Sequence, residues 1–267
     1  MTNDKDYVLG TDQTELERLQ LQHRLWQDHL IRVWDRSHFK NLKNILELGC
    51  GPGFTTADLS NYVGERTKIT AVDISDKFLK YLDSQNYKNV TTAKSFIESL
   101  DLSNKQYEAA FCRWLMIFIP DVEKAIQKIS DHLKEGAIFT MQEYIAYDNF
   151  SIFPEHPLMK KIIDAVFKSW GDQGGYPNQG RKLPMILESN GFEVLEIEPI
   201  SRVCRPTEPL WNWPDSFFKS FLPKLVEGKY LQEVERVEFL KVWDDLKNIK
   251  GAFCLAPTVV NIISRKL

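Results

Sequence analysis

Apolar residues are spaced at helical intervals near the amino terminus and are gathered into short runs farther along the chain. Between residues 12 and 36 their spacing predicts one amphipathic helix, which Asp12 or Thr14 could cap. Short apolar strands then alternate with helical segments. We predict strands at 44–48, 68–72, 90–93, 108–114, 137–143, 192–200 and 257–264, and helices at 54–63, 75–83 and 121–133, with Gly136 as a stop signal. This alternation predicts an α/β fold, a parallel sheet covered by helices on both faces.

Two stretches are longer than a minimal α/β unit requires. Residues 145–180 contain a helical piece near 158–170 followed by the glycine-rich turn 171–175. Residues 204–252 lie between the last two predicted strands and have a mostly helical pattern. A structureless loop of that length is uncommon in a compact domain, so we interpret 204–252 as an inserted subdomain.

Composition excludes several classes of protein. The 267 residues include 34 Lys and Arg against 37 Asp and Glu, so the basic footprint of a nucleic-acid-binding domain is missing. The longest dense apolar run, residues 114–119, is far shorter than the ~20 residues of a spanning helix, and the first residues do not resemble a signal peptide. Four cysteines without a CxxC pair and five histidines without an HExxH spacing predict no metal site and a reduced, cytoplasmic setting.

The segment 45–53, Ile-Leu-Glu-Leu-Gly-Cys-Gly-Pro-Gly, carries the main chemical signal. It predicts a buried strand that runs into a glycine turn and then a helix, where backbone N–H groups can approach a nucleotide-type ligand. A P-loop needs Gly-Lys followed by Ser or Thr, which is missing. A dinucleotide fingerprint needs G-x-G-x-x-G, and its third glycine is replaced by Phe54 or Thr56. The spacing that fits is E-x-G-x-G-x-G.

Residues 47–53 resemble the first motif of the class I S-adenosylmethionine-dependent methyltransferases, and residues 71–75 resemble the second. The resemblance covers roughly residues 40–200 and the last strand. It implies a Rossmann-like doubly wound sheet, mostly parallel with an antiparallel last strand. It also implies S-adenosyl-L-methionine as cofactor, with S-adenosyl-L-homocysteine as product. The cofactor-binding residues implied by these motifs are Glu47, Gly49, Cys50, Gly51, Gly53, Asp73 and Ile74, with Asp73 on the ribose hydroxyls.

The resemblance extends beyond these two motifs. Residues 7–22 are similar to a segment that caps the cofactor in a subgroup of small-molecule methyltransferases, which implies Tyr7 and Arg18 near its methionine end. The family often has an Asp after the third strand for the adenine amino group. This chain has none there, so Ser95, Phe96 and Ile97 are the candidates for adenine contact. The residues after the fourth strand line the methionine end, which implies Arg113 as a further cofactor residue.

Substrate-binding candidates follow the fourth and fifth strands and lie in the insertion. They are Trp114, Tyr144, Tyr147, Trp211 and Trp213, and His156 is the candidate general base. Trp211 and Trp213 flank one residue and would point to the same side of an extended segment. The Asn/Asp-Pro-Pro-aromatic motif of enzymes that methylate nucleobase amines is missing after the fourth strand.

These observations predict an S-adenosylmethionine-dependent methyltransferase that acts on a small molecule and exists as a monomer or homodimer, with no nucleic acid or membrane as partner. We expect an amino-terminal helical cap (1–40), a cofactor-binding core (41–203 and 253–267) and a mostly helical insertion that covers the substrate (204–252). The alternatives are a protein or RNA methyltransferase, a non-catalytic cofactor-binding protein of the same fold, and a nicotinamide-dependent oxidoreductase. The acceptor atom stays open.

Overall fold

The computed structural model describes residues 13–103 and 106–267. Seven strands form one large sheet: β1 (Asn44–Leu48), β2 (Lys68–Asp73), β3 (Val90–Lys94), β4 (Tyr107–Arg113), β5 (Leu133–Ala146), β7 (Phe192–Ile200) and β10 (Thr258–Lys266). Three short strands form a second sheet: β6 (Ser151–Phe153), β8 (Val203–Cys204) and β9 (Phe253–Leu255). The helices are α1 (Gln13–Arg36), α2 (Phe54–Val63), α3 (Asp76–Ser84), α4 (Val122–His132), α5 (Pro157–Gly171), α6 (Leu183–Ser189), α7 (Asn212–Glu227) and α8 (Glu233–Asp245).

The large sheet has the strand order β3-β2-β1-β4-β5-β10-β7. Strands β1 to β5 pair in parallel, whereas β10 runs antiparallel to both β5 and β7. The predicted fold class is therefore confirmed, including the antiparallel last strand. The strand order reverses between β1 and β4, and the carboxyl ends of parallel strands at such a switch point form a natural ligand crevice.

Strand β5 begins earlier than the sequence pattern predicts. Helix α4 ends at His132, and Leu133 pairs with Tyr107 on β4 before the register shifts ahead of Ala109. Gly136 has a φ of +76° inside this irregular start of the strand. The positive φ of Gly136 therefore belongs to an irregularity of strand β5 and does not mark the end of helix α4, contrary to the prediction.

The helices of the inserted stretch share one core with the rest of the chain. Their apolar side chains form a single cluster with residues of α5, of the segment after β5 and of α1, including Trp26. Within this cluster the ring of Trp26 packs edge-on against Trp213 of α7, with centroids 5.0 Å apart. The insertion is thereby fixed against α1, beside the carboxyl ends of the parallel strands. In the described part of the chain, every helix is too short or too polar to cross a bilayer.

Candidate active site

The glycine turn after β1 is tied to the end of β2 by backbone and carboxylate hydrogen bonds. Gly51 N–H donates to one oxygen of the Asp73 carboxylate, and Ser75 N–H donates to the other, each at 2.8 Å. Cys50 N–H donates to the carbonyl of Val72 at 3.0 Å. Asp73 therefore holds the turn and the start of α3 together at the edge of the crevice.

The three glycines of the turn all have positive φ, but they meet different surroundings. A Cβ on Gly49 would lie 2.8 Å from Leu115 Cδ1, and a Cβ on Gly53 would lie 2.4 Å from Leu82 Cδ1. A Cβ on Gly51 would meet nothing within 4 Å. Gly49 and Gly53 are thus needed for packing, whereas Gly51 borders open space that a ligand could fill.

That open space is a crevice of about 580 Å³, which we call the main cavity. It lies at the carboxyl ends of β1, β2 and β4. Ten of the predicted cofactor residues line it: Glu47, Gly49, Cys50, Gly51, Asp73, Ile74, Ser95, Phe96, Ile97 and Arg113. Gly53 does not line it, because this residue caps α2 and packs on Leu82. Several other lining residues were not predicted from the sequence, among them Leu19, Gln22, Thr55, Glu98, Leu115 and Phe118.

Among the buried polar atoms that have no hydrogen-bond partner in the described part of the chain, two belong to charged residues that line the main cavity. They are an acceptor, Glu47 Oε2, and a donor, Arg113 Nη1. Burial raises the pKa of Glu47 to about 7 and lowers that of Arg113 to about 10. An unsatisfied acceptor and an unsatisfied donor in one cavity suit a ligand with an ammonium and a carboxylate, such as the amino-acid end of a nucleoside cofactor.

Arg113 is positioned by a short series of hydrogen bonds that was not predicted from the sequence. Its Nη2 donates to Thr55 Oγ1 at 2.8 Å and lies 3.1 Å from His23 Nδ1. His23 Nε2 lies 2.9 Å from Asp58, and burial lowers the pKa of this histidine. A neutral ring that accepts from Arg113 and donates to Asp58 satisfies both contacts. His23 therefore links α1 to α2 and orients Arg113.

Trp114, directly after β4, has a backbone conformation that is rare for a bulky residue. Its φ is +50°, and a left-handed conformation costs about 1–2 kcal/mol. Strand β5 holds it: Trp114 N–H donates to the Gln142 carbonyl at 2.9 Å, and the next two N–H groups donate to Glu143 Oε1 at 2.8 Å each. Glu143 is fully buried, and burial raises its pKa to about 8. The residue was not predicted, although a glutamate inside an apolar strand is a signal that could have found it.

A second, much smaller space of about 40 Å³ adjoins the main cavity, and we call it the aromatic recess. Gln22, Trp114 and Phe118 border both spaces. Trp114 stacks on Tyr144 at 5.7 Å and on Trp213 at 6.2 Å. The recess is lined by the predicted residues Arg18, Trp114, Tyr144, Tyr147 and Trp213, and further by Gln22, Ile117, Phe118, Phe150, Trp170, Pro214, Phe217 and Pro257.

The structure places two predicted substrate-site residues outside both spaces. Trp211 and Trp213 stand at the start of a helix, where two positions correspond to a rotation of ~200°, so the rings point apart. Trp211 instead stacks on Trp243 at 3.9 Å, inside the pair formed by α7 and α8. His156 is the N-cap of α5, and its Nδ1 accepts from Leu158 N–H at 3.4 Å. The premise of an extended segment was therefore wrong, and His156 lines neither space.

The predicted cap residues of the amino-terminal segment differ in what the structure describes. Arg18 borders the recess and makes two hydrogen bonds to Glu15, at 2.6 and 2.7 Å, and one to Gln22 at 2.6 Å. Leu19 and Gln22, on the same helix, line the main cavity. Tyr7 lies outside the described residues.

Comparisons with known proteins agree with this geometry. Residues 45–136 match the family model described as a methyltransferase domain. The ubiquinone/menaquinone biosynthesis C-methyltransferase UbiE of Shewanella frigidimarina is 26% identical over 147 residues, which are 53% of this chain and 55% of that protein. Phosphoethanolamine N-methyltransferase 1 of Triticum aestivum is 26% identical over 194 residues, 67% of this chain and 38% of that protein. This chain thus spans about half or less of the length of these curated relatives.

Solved structures show the same fold. The crystal structure of an S-adenosylmethionine-dependent methyltransferase from Aquifex aeolicus superposes with a TM-score of 0.53 at 16% identity, covering 96% of this chain and all of that one. Within residues 13–103 and 106–267, no group of three or more His, Cys, Asp or Glu side chains is arranged to hold a metal ion. Residues 45–136 thus match a methyltransferase domain, and the chain has the fold of S-adenosylmethionine-dependent methyltransferases.

Proposed function

We propose that the chain transfers a methyl group from S-adenosylmethionine to a small-molecule acceptor. The observation that carries this proposal is the junction at Trp114, where a cavity built for the cofactor meets a recess lined by aromatic rings. The curated relatives include enzymes named for quinone and phosphoethanolamine methylation, which supports a small acceptor.

The main cavity supplies complementary groups for each part of the cofactor. In this proposal Asp73 accepts from the ribose hydroxyls, and Gly51 leaves room for the nucleoside. Arg113 Nη1 donates to the methionine carboxylate, and Glu47 Oε2 accepts from its ammonium. Glu98, which lines the cavity three residues after Ser95, can accept from the adenine amino group in place of the missing Asp.

The protein's share of the catalysis is positioning. When bound, the cofactor supplies an activated methyl group, so the chain has to align the acceptor with it and exclude water. Trp114 is suited to this task because the hydrogen bonds from β5 fix its strained backbone at the border of both spaces. His156 caps α5 and lines neither the main cavity nor the aromatic recess, so we assign it no part in the transfer.

Calorimetric titration with S-adenosylhomocysteine tests the cofactor site. Replacement of Asp73 by Ala removes charged hydrogen bonds, which should cost about 1.5–3 kcal/mol of binding, or roughly 10- to 150-fold in Kd. Asp76→Ala is the matched control, because Asp76 is exposed and paired with Lys94. Unchanged affinity in Asp73→Ala would contradict the assignment.

The same titration separates the alternative functions. Binding of a nicotinamide dinucleotide in place of S-adenosylhomocysteine would indicate an oxidoreductase. Tight cofactor binding without transfer to any acceptor in a screen with methyl-labelled cofactor would indicate a non-catalytic protein. Transfer to bulk RNA or protein would favour those substrates over a small molecule.

A further inference from the structure

Gln22 of α1 lies at the border between the main cavity and the aromatic recess, and it is only 6% exposed. Its Oε1 accepts from Arg18 Nη1 at 2.6 Å. Because a guanidinium group can only donate, this bond fixes which end of the Gln22 amide is oxygen and which is nitrogen. The amide nitrogen has no hydrogen-bond partner in the described part of the chain. A buried N–H donor is therefore left for a ligand where the two spaces meet.

Arg18 holds this amide in place without adding net charge to the site. Its guanidinium makes two hydrogen bonds to the Glu15 carboxylate, at 2.6 and 2.7 Å, and both side chains of this ion pair are buried. Within residues 13–103 and 106–267, Arg18 is the one charged residue that lines the recess. The recess therefore recognises a ligand by hydrogen bonds and shape, and Arg18 acts as a positioning residue for Gln22.

Two tyrosines add further hydrogen-bonding groups to the lining of the recess. Tyr144, near the end of β5, and Tyr147, just after it, pack edge-on with ring centroids 5.0 Å apart. They are 8% and 2% exposed, yet neither hydroxyl has a hydrogen-bond partner among the residues that the structure describes. Burial raises the pKa of both hydroxyls, so each keeps its proton and can donate. Buried tyrosine hydroxyls normally find a partner, so this pair indicates a polar group on the ligand.

The size of the recess limits what that polar group can be. Its volume of about 40 Å³ is close to the roughly 30 Å³ that one water molecule takes in the liquid. A carbonyl or hydroxyl group fits this space, whereas an aromatic ring does not. The body of the ligand then lies in the adjoining part of the main cavity, beside Trp114 and Phe118, which border both spaces.

We propose that Gln22, Tyr144 and Tyr147 bind a carbonyl or hydroxyl oxygen of the methyl acceptor, and that this oxygen is what the site recognises. This inference rests on the proposed methyl transfer. The nitrogen of the Gln22 amide can only donate, so the group that faces it must carry a lone pair. An oxygen atom has lone pairs for this donor and for the hydroxyls, whereas an ammonium or a methyl group has none. With its oxygen held at the border, the acceptor is oriented relative to the methyl group of the cofactor.

Two probes of the same shape test the inference on the full chain saturated with S-adenosylhomocysteine. They are acetophenone and 2-phenylpropene, in which a CH₂ group replaces the carbonyl oxygen, and their Kd values are measured by ligand-observed NMR titration. We expect acetophenone to bind at least about fivefold more tightly, because the hydrocarbon leaves buried donors unpaired. Equal or tighter binding of 2-phenylpropene, or no binding of either probe, would overturn the inference.

Variants of the two tyrosines test which hydroxyls contact the oxygen. Tyr144→Phe and Tyr147→Phe keep the rings, and each should reduce the preference for acetophenone by about two- to fivefold. Both should bind S-adenosylhomocysteine as the wild type does, because these tyrosines line the recess and not the main cavity. Tyr62→Phe is the matched control, since the Tyr62 hydroxyl donates to Asp35 away from both spaces.

A third variant tests the amide of Gln22. Gln22→Glu keeps an oxygen to accept from Arg18 but removes the N–H donor, so it should abolish most of the preference for acetophenone. Gln20→Glu is the matched control, because Gln20 is exposed on the same helix and accepts from Arg24. A wild-type preference in all three variants would show that these donors do not bind the oxygen. Failure of the wild type to bind S-adenosylhomocysteine would contradict the proposed function, whereas normal cofactor binding without a preference between the probes would contradict this inference alone.

Discussion

The glycine turn and the aromatic recess build two sides of one site in opposite ways. The turn is one short stretch after β1, fixed by backbone hydrogen bonds and by a single carboxylate, Asp73. The recess draws its walls from α1, α5, α7 and the segments after β4 and β5, and these walls are mostly side chains. A cofactor site made of backbone depends on few residues, whereas a recess made of rings can change its specificity by side-chain replacement alone.

The two tryptophans of the insertion give the largest test of this contrast. Trp211→Ala should lower the free energy of unfolding by about 3–5 kcal/mol, because Trp211 is buried and stacked on Trp243. The folded fraction should bind cofactor and transfer methyl groups as the wild type does, because Trp211 lines neither space. Trp213→Ala should lower methyl transfer without changing cofactor affinity, because Trp213 lines the recess and not the main cavity.

Urea unfolding followed by far-ultraviolet circular dichroism measures the free energy of unfolding. Below the unfolding transition, calorimetric titration measures cofactor affinity, and the acceptor screen with methyl-labelled cofactor measures transfer. Trp211→Phe and Trp213→Phe, which keep a ring, are the controls and should show smaller losses. If Trp211→Ala changed methyl transfer by the folded protein while Trp213→Ala did not, the division between core and recess would be wrong.

The same contrast explains what the sequence could show. The glycine turn and Asp73 are local in sequence, so their spacing predicted the part of the main cavity that they line, whereas Leu19, Thr55 and Leu115 were not predicted. The recess depends on long-range packing, and the extended geometry expected for Trp211 was replaced by a helical one. The positive φ of Trp114 has no sequence signal, because the groups that hold Trp114 and Leu115 by hydrogen bonds, the Gln142 carbonyl and the Glu143 carboxylate, lie on strand β5.

Variants at two glycines of the turn after β1 give the next test. Gly53→Ala should cost about 2–4 kcal/mol of stability, because its Cβ would press on Leu82 and its φ is +84°. Gly51→Ala should cost only about 1 kcal/mol, the strain of its φ of +55°, because no protein atom is in the way.

Cofactor binding should show the reverse order. The Cβ of Gly51→Ala enters the main cavity and should weaken S-adenosylhomocysteine binding at least tenfold, whereas folded Gly53→Ala should bind nearly as tightly as the wild type. Melting curves and calorimetric titration of both variants settle the comparison. Normal cofactor binding by Gly51→Ala would mean that the cofactor does not approach the turn there.

The pH dependence of stability tests whether Glu143 of β5 holds the backbone beside Trp114. Burial raises its folded-state pKa to about 8 from an ordinary value of 4.5, so the folded chain holds this proton more tightly than the unfolded chain. Its contribution to stability is therefore fully present below pH 4.5 and is lost as the pH rises through 8. Glu143→Gln keeps an oxygen to accept from Leu115 and Met116 but cannot ionise.

Between pH 5 and 8 the wild type should thus lose unfolding free energy relative to Glu143→Gln, by at most about 1.4 kcal/mol per pH unit. Urea titrations at a series of pH values measure the difference. Glu123→Gln, on the exposed side of α4, should give a curve parallel to that of the wild type. A flat difference between wild type and Glu143→Gln would show that Glu143 does not take up a proton in this range.

The smallest expected effect belongs to His156, which the sequence suggested as a base and the structure assigns to a helix end. Its Nδ1 accepts one long hydrogen bond, 3.4 Å, from Leu158 N–H, so His156→Ala should lose only about 0.5 kcal/mol of stability. His156→Asn restores an N-cap acceptor and should recover most of that loss, although it removes any imidazole. If His156 were the catalytic base, the opposite outcome would be expected. Neither variant could then transfer a proton, so both would lose a large factor in kcat at an unchanged melting temperature. Equal turnover by the wild type and both variants, with stability ordered as the capping argument requires, would confine the chemistry to the junction of the main cavity and the aromatic recess.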